Sequence, residues 1–150
     1  MDFIDNGIQK ADDPTWDSYG FGITQKNELT FGKESDREWK DFLTAYPPLV
    51  INGKINTMGI GTQNYKARRS IMGYNDTSFF LITIDSPGAT YWESARTALS
   101  VGCAYAMNLD GGGSTRMICG NKVYAAASYN RPVDNVIAVY LNKEKIVYRV

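Results

Sequence analysis

The sequence predicts an α+β fold in which two main helices pack on a mixed, mostly antiparallel β-sheet of about nine strands. Three observations support this fold class. Short β-prone runs recur along the chain and are separated by turn residues. Two longer stretches combine a capping-box pattern with an apolar face. The chain has 150 residues, 43% of them hydrophobic, which is enough for a single domain over 1–150 with a sizeable core.

The N-terminal part is predicted to hold a loosely ordered segment and then a hairpin. Residues 1–18 are polar and lack periodicity, so we expect them to be loosely held. The runs YGFGIT and ELTFG flank a short polar turn at 25–27, which is typical of a hairpin.

A helix is predicted next. Ser35 and Glu38 have capping-box spacing, and Trp39, Phe42 and Leu43 follow at i, i+3 and i+4. The pair at 47–48, Pro-Pro, should end this helix. PLVING then predicts a buried strand, and the polar residues 54–67 predict a loop.

Two strands are predicted at 70–74 and 78–85, around an Asn-Asp turn at 75–76. Because SFFLITID is almost wholly apolar, we expect the second strand to be buried on both faces. The SPGAT segment predicts a turn after it.

The second helix is predicted to begin at Thr90, with Glu93 completing a capping box. Trp92, Ala95 and Leu99 should line its apolar side, and a glycine at 102 should end it. Further strands are predicted at 104–109, at 116–119 with 122–126 as a hairpin, and at 135–141 and 145–150.

Composition excludes several kinds of function. The 16 basic and 16 acidic residues cancel and form no basic run, so we expect no binding of nucleic acid polymers. Histidine is absent, which excludes Ser–His–Asp and Cys–His catalysis and histidine-ligated zinc. Two cysteines imply no disulfide framework, and with no apolar span and no leader pattern in MDFIDNGIQKADD we expect a cytoplasmic protein without a membrane partner.

The stretch NLDGGGSTR, at 108–116, places a carboxylate beside three glycines and two hydroxyls. It lacks the Lys of a P-loop, the spacing of a dinucleotide fingerprint and the acidic ladder of an EF-hand. Successive amides without side chains form an anion-binding concavity, and Asp110 stands at its lip. A tight connection between strands, with glycines for positive φ, is the alternative interpretation.

Three segments resemble the phosphodiester glycosidase family, which includes the domain of the mannose-6-phosphate uncovering enzyme and bacterial and phage relatives. They are RRSIMG at 68–73, AYAMNLDGGGST at 104–115 and RPVDNVIAVY at 131–140. The resemblance extends from about residue 20 to residue 141. It implies cleavage between an anomeric sugar carbon and a phosphodiester oxygen.

The resemblance also implies roles for individual residues. Arg69 and Arg131 would clamp the phosphate, helped by Gly111, Gly112, Gly113, Ser114 and Thr115. Asp110 is the first candidate for the catalytic carboxylate and Asp85 the second. No cofactor is required, although a divalent cation is compatible with the site, and the stereochemical outcome stays open.

Each candidate has a purely structural alternative. Arg69 would be a surface cation, Arg131 would pair with Asp134, and Asp85 would initiate a turn. Arg68 should face solvent, because neighbouring strand residues point to opposite sides. Glu38 and Glu93 are expected to serve as capping residues, and both cysteines as small buried hydrophobes.

Three functions are compatible with this sequence. The first is an enzyme that hydrolyses a small sugar-phosphate or nucleotide-like ligand. The second is a non-catalytic protein that sequesters such a ligand, and the third is a structural component such as part of a phage tail. The chain could also form a homo-oligomer.

Overall fold

The computed structural model describes residues 3–5, 8–11, 19–61, 65–126, 132–133, 136–141 and 146–149. The chain divides into two compact units, Met1–Thr44 with Pro132–Val150, and Ala45–Arg131. The α+β class is confirmed, with mostly antiparallel sheets and one main helix instead of two. A single domain over 1–150 stays a prediction.

The first unit contains a five-stranded antiparallel sheet. Its strands are β1 (Phe3–Asp5), β2 (Ile8–Ala11), β3 (Tyr19–Thr24), β4 (Leu29–Lys33) and β5 (Trp39–Thr44), in the order β2-β1-β5-β3-β4. The predicted hairpin of β3 and β4 is confirmed. The strands β1 and β2 lie where a loosely ordered segment was expected. The last two predicted strands are confirmed as Ala138–Leu141 and Ile146–Arg149, which pair antiparallel in a separate two-stranded sheet.

The helix predicted after Ser35 is wrong, because this segment forms a short 3-10 turn at Glu34–Asp36 and then strand β5. β5 pairs with β3 on one side and β1 on the other. Phe42 is completely buried, and Trp39 is buried with its indole Nε1 donating to Glu34 O at 2.9 Å. Glycines in β3 leave room for both rings, since a Cβ at Gly20 would lie 2.7 Å from Phe42 Cζ. This cross-strand packing outweighs the helical spacing, which a short segment cannot define uniquely.

The second unit is built on another five-stranded antiparallel sheet. Its elements are β6 (Pro48–Ile51), β7 (Lys54–Ile55), α1 (Thr57–Ile60), β8 (Ala67–Tyr74), β9 (Phe79–Ala89), α2 (Tyr91–Ser100) and β10 (Tyr105–Asn108). The strand order is β7-β6-β10-β8-β9. A two-stranded ribbon, β11 (Met117–Cys119) with β12 (Lys122–Ala125), follows and confirms the predicted hairpin. The structure therefore has several smaller sheets instead of one sheet of about nine strands.

The main helix α2 begins as predicted. Thr90 Oγ1 accepts from the Glu93 amide at 3.1 Å, and Glu93 Oε2 accepts from the Thr90 amide at 2.8 Å. Of the residues predicted to line its apolar side, Ala95 is fully buried, whereas Trp92 is 48% exposed and Leu99 37% exposed. Ser94 and Ala98 face the core together with Ala95. The small side chains let the helix lie close to a sheet core that includes Leu49, Val50, Ile71 and Ala106.

Two further expectations in the second unit are corrected. SFFLITID is not buried on both faces, because β9 is an edge strand and Leu81 is exposed. SPGAT is no separate turn, since β9 continues through Gly88 to Ala89 and pairs there with Ala67. The loop expected at 54–67 contains β7 and the single turn α1. In the part of the chain that the structure describes, no helix has the length and apolarity needed to cross a bilayer.

Candidate functional site

The glycine turn follows β10 and comprises residues 109–115, with a 3-10 turn at Gly112–Ser114. Two of its glycines are required for different reasons. A Cβ on Gly111 would lie 2.7 Å from the carbonyl oxygen of Arg68, so only a glycine allows the turn to approach β8 this closely. Gly112 has a φ of 58°, in the left-handed region, and a Cβ there would meet open space. Close approach and positive φ together explain consecutive glycines.

Hydrogen bonds hold the turn in place. The Leu109 amide donates to Ser70 O at 2.8 Å, which attaches the start of the turn to β8. Within the turn, the amides of Ser114 and Thr115 donate to Gly111 O and Gly112 O. The Gly111 amide donates to Asp110 Oδ1 at 2.9 Å, so this amide is already engaged without a ligand.

Asp110 is exposed, and its carboxylate is oriented by the bond from the Gly111 amide. Among the residues that the structure describes, no lysine or arginine forms an ion pair with it. Its remaining oxygen is therefore available to a ligand or a water molecule, and the carboxylate sits on the rim of the glycine turn.

Arg69 lies on β8 next to this turn and is only 3% exposed, so the alternative of a surface cation is wrong. Its Nε donates to Ala89 O at 2.9 Å and its Nη2 donates to Tyr65 O at 3.3 Å. The guanidinium carbon lies 4.1 Å from the centroid of the Tyr91 ring and 5.2 Å from that of Tyr65. No carboxylate of the described residues pairs with it. A buried cation with no anionic partner among the described residues is costly, and an anionic ligand would compensate it.

One of the two tyrosines around Arg69, Tyr91, has a shifted pKa. Burial raises the pKa of Tyr91 above its ordinary value of 10.0, and a hydrogen bond with Tyr65 raises it further. The charge of Arg69 acts in the opposite direction and is the smaller effect. The Tyr91 hydroxyl therefore stays protonated at neutral pH. Neither tyrosine could be singled out from the sequence, because only their contact with Arg69 distinguishes them from the other eight.

Arg68 does not face solvent as the alternation in β8 suggested. Its side chain is 14% exposed, and its Nε lies 2.6 Å from Asp85 Oδ1. Its Nη2 donates to the carbonyl oxygens of Thr115 and Ala126. The strand pairing is consistent with the ion pair, because Arg69 pairs with Ile84 and Ala67 pairs with Ala89, so Arg68 lies in a register irregularity opposite residues 85–88. Asp85 also accepts from the Ser86 amide at 2.9 Å, but it does not initiate a separate turn, since β9 continues to Ala89.

Two buried polar atoms flank the glycine turn. Asn108 is 5% exposed and Thr115 is fully buried, yet Asn108 Oδ1 and Thr115 Oγ1 have no hydrogen-bond partner among the described residues. The amide nitrogen of Asn108 donates to Tyr46 O and Leu109 O. Sequence reasoning missed Asn108, although a polar residue that ends the apolar strand AYAMN was a usable signal.

The candidates that the structure describes come from one unit. Asp85, Asp110, Arg69 and the glycine turn with Ser114 and Thr115 all lie in Ala45–Arg131. Arg131 lies outside the described residues. No group of three Cys, Asp or Glu side chains among the described residues could hold a metal ion.

Comparisons with known proteins show what this chain is similar to. The sequence model of a family described as phosphodiester glycosidase matches residues 3–140. No curated protein matches the chain. A similar solved structure is the zebrafish N-acetylglucosamine-1-phosphodiester alpha-N-acetylglucosaminidase catalytic domain, auto-inhibited by its pro-peptide, at 19% identity and a TM-score of 0.71. The match covers 85% of this chain and 50% of that one, so the present chain spans about half of its length.

A second similar structure is a hypothetical protein from Synechocystis, at 24% identity and a TM-score of 0.50. That match covers 66% of this chain and 21% of the other. At these identities the two structures support the fold.

Proposed function

Because the chain belongs to the phosphodiester glycosidase family, we propose that it hydrolyses the bond between an anomeric sugar carbon and a phosphodiester oxygen. The substrate is a small sugar phosphate or a nucleotide-like molecule with the same linkage. The name of the zebrafish relative specifies an N-acetylglucosamine-1-phosphodiester, which makes methyl N-acetyl-α-glucosaminyl phosphate the first probe.

The observation that carries this proposal is the buried charge of Arg69 on β8, the strand whose backbone the glycine turn contacts. Arg69 is 3% exposed and pairs with no described carboxylate. Arg69 Nε donates to Ala89 O and Nη2 donates to Tyr65 O, so the donors that remain for a ligand are those of Nη1 and the second hydrogen of Nη2. Donors on two adjacent nitrogens form a fork that fits two phosphate oxygens. A phosphate anion would supply the negative charge that the described residues do not place beside Arg69.

The glycine turn contributes the second part of the anion site. Gly112 and Gly113 add no Cβ between the backbone and a ligand, and Ser114 adds a hydroxyl. The Thr115 hydroxyl is buried and unpartnered among the described residues, and we assign it to the same site. Arg131 is a further proposed clamp, carried over from the family's motif.

Asp110 is the proposed catalytic carboxylate. Asp110, on the rim of the turn, forms no ion pair with the described residues, in contrast to Asp85, whose Oδ1 contacts Arg68 Nε and the Ser86 amide. In the reaction the anomeric C–O bond breaks, and the phosphate monoester departs with its electron pair. Asp110 accepts a proton from the attacking water or adds to the anomeric carbon itself before water releases the sugar. The phosphate group is a good leaving group, so little proton donation is needed.

We propose a cytoplasmic location, because both cysteines are free thiols in the structure and a reducing compartment keeps them so. The reaction as proposed needs no cofactor. A small phosphorylated ligand is the only partner that it requires.

The test is phosphorus NMR on the methyl N-acetyl-α-glucosaminyl phosphate probe. We expect wild type to convert the diester resonance into that of methyl phosphate and to release the free sugar. Asp110→Asn should lower kcat by at least about a hundredfold while binding persists. Arg69→Lys should raise KM about tenfold or more, because a lysine cannot replace the guanidinium fork. Asp76→Asn, at an exposed turn elsewhere in the same unit, is the matched control and should behave as wild type.

Three outcomes would contradict the proposal. Absence of product with a raised melting temperature would identify a binding protein. Absence of both product and a rise in melting temperature would show that this phosphodiester is not a ligand. Equal rates for wild type and Asp110→Asn would remove Asp110 from the chemistry.

A further inference from the structure

Arg68 connects three segments of the second unit. Its guanidinium meets Asp85 on β9 and the carbonyl oxygens of Thr115 at the end of the glycine turn and Ala126 after β12. The side chain is 14% exposed, whereas the side chain of Asp85 is 58% exposed. In this ion pair the arginine is therefore the buried side chain, and the aspartate lies at the surface.

The same residue contacts the glycine turn at both ends. At the start, the position of a Gly111 Cβ lies 2.7 Å from Arg68 O, so the turn rests on the backbone of Arg68. At the end, Arg68 Nη2 lies 3.4 Å from Thr115 O. Within the turn itself, the Thr115 amide reaches Gly112 O only at 3.4 Å, a long hydrogen bond. The C-terminal end of the turn is therefore held by two hydrogen bonds of equal length, one internal and one from Arg68.

Asp85 controls the direction of that guanidinium. A single oxygen, Oδ1, accepts the Ser86 amide at 2.9 Å and lies 2.6 Å from Arg68 Nε. The Ser86 bond orients the carboxylate, which forms an ion pair with the guanidinium on its Nε side. The Nη2 edge is then directed at Thr115 and Ala126.

We propose that Arg68 is a positioning residue that sets the conformation of the glycine turn, and that Asp85 acts through Arg68 instead of on the substrate. The inference rests on the proposed function for its kinetic consequence. It assigns to Asp85 a role different from that of a catalytic carboxylate, and it leaves Asp110 as the carboxylate that acts at the reacting centre.

The experiment compares Arg68→Lys, Asp85→Asn and the double variant with wild type. The first readout is the set of assigned ¹⁵N amide resonances of Gly111, Gly112 and Gly113 in ligand-free protein. The second is kcat/KM for the methyl N-acetyl-α-glucosaminyl phosphate probe. Arg96→Lys, an exposed arginine on α2, is the matched control and should change neither.

We expect both single variants to shift the glycine resonances and to lower kcat/KM by similar factors of about ten to a hundred. The double variant should have a kcat/KM no lower than that of the more impaired single variant, because both substitutions break the same series of contacts. The effect should appear mainly in kcat, since the turn, which includes Asp110, is displaced relative to the bound substrate while Arg69 is retained. At a temperature where all variants are folded, a loss of stability alone would not lower kcat while leaving KM unchanged.

Two results would overturn the inference. Asp85→Asn could abolish turnover with unchanged glycine resonances, which would make Asp85 catalytic. Alternatively, Arg68→Lys could leave the glycine resonances unchanged, and the turn would then be independent of Arg68. The resonances decide even if the wild type does not hydrolyse the probe, so failure of the proposed function is distinguishable from failure of this inference. Asp85→Asn, at an exposed side chain, keeps the test available if Arg68→Lys does not fold.

Discussion

Adding a methyl group at Gly111 tests the close packing of the glycine turn against β8. The Ala Cβ would lie 2.7 Å from Arg68 O, whereas ordinary contacts begin at 3.4 Å, so the turn must move by about 0.7 Å. The obstacle is a backbone carbonyl in a sheet, which cannot rotate away. We expect Gly111→Ala to destabilise the fold by about 1–3 kcal/mol. A displacement of this size also lowers kcat/KM by about a hundredfold, because the groups on the turn lose their alignment.

Two further alanine substitutions separate strain from displacement. Gly112 and Gly120 have φ values of 58° and 57°, and a Cβ at either meets nothing within 4 Å. Each substitution should therefore cost about 1 kcal/mol of backbone strain. Gly120→Ala, in the β11–β12 turn, should keep full activity, whereas Gly112→Ala should lose activity through the altered turn.

The measurements are urea unfolding followed by circular dichroism and phosphorus NMR kinetics on the methyl N-acetyl-α-glucosaminyl phosphate probe. The reasoning is refuted if Gly111→Ala retains wild-type kcat/KM. It is also refuted if Gly111→Ala is no less stable than Gly120→Ala, since the carbonyl contact would then carry no penalty.

Three more predictions concern stability and reactivity. Thr90→Ala removes the side-chain cap of α2 and should lower the free energy of unfolding by about 1 kcal/mol in urea titration; an unchanged midpoint would contradict the cap. Burial raises the pKa of the Cys103 thiol from 9.0 to about 11. The folded state therefore favours the protonated thiol, and the stability that this preference contributes is complete below pH 9 and is lost as the pH rises through 11. A disulfide reagent at pH 8 should therefore label exposed Cys119 alone in native protein and both thiols in urea, and labelling of both thiols in native protein would disprove the assignment. Leu49→Ala, at a fully buried position, should destabilise the fold by about 2–5 kcal/mol, and a value below 1 kcal/mol would mean that the core relaxes around it.

Local signals in the sequence predicted the elements whose determinants are local. The capping box of Thr90 and Glu93 and the glycine at 102 define α2 without reference to the rest of the chain. The strand that runs into the glycine turn was equally predictable, since an apolar run ends at residues that only a turn accommodates. The separation of the strands into several sheets was not predictable, because strand order depends on pairing between distant segments.

The segment around Trp39 shows where this reasoning fails. Trp39, Phe42 and Leu43 satisfy a helical spacing, but they belong to a central strand whose partners are β1 and β3. The decisive signal lay in another segment, at Gly20 and Gly22, which leave space for the two aromatic rings. A pattern read within one segment does not contain that information.

At the candidate site, the sequence identified residue types better than their surroundings. Arg69 and Asp110 were selected from motifs, and their roles stay predictions. The burial of Arg69 under Tyr65 and Tyr91, and the engagement of Arg68 with Asp85, arise from contacts between strands and a helix start. Strand alternation predicted a solvent-facing Arg68, which is wrong, because both arginines are largely covered and the register of β8 is irregular beside them.

The most direct test of the central claim is a crystal structure of Asp110→Asn with the methyl N-acetyl-α-glucosaminyl phosphate probe bound. We expect the phosphate to contact the Nη atoms of Arg69 and the backbone of Gly112 and Gly113, with the anomeric carbon facing residue 110. A probe bound elsewhere, with the Arg69 guanidinium still in contact only with its protein neighbours, would contradict the account.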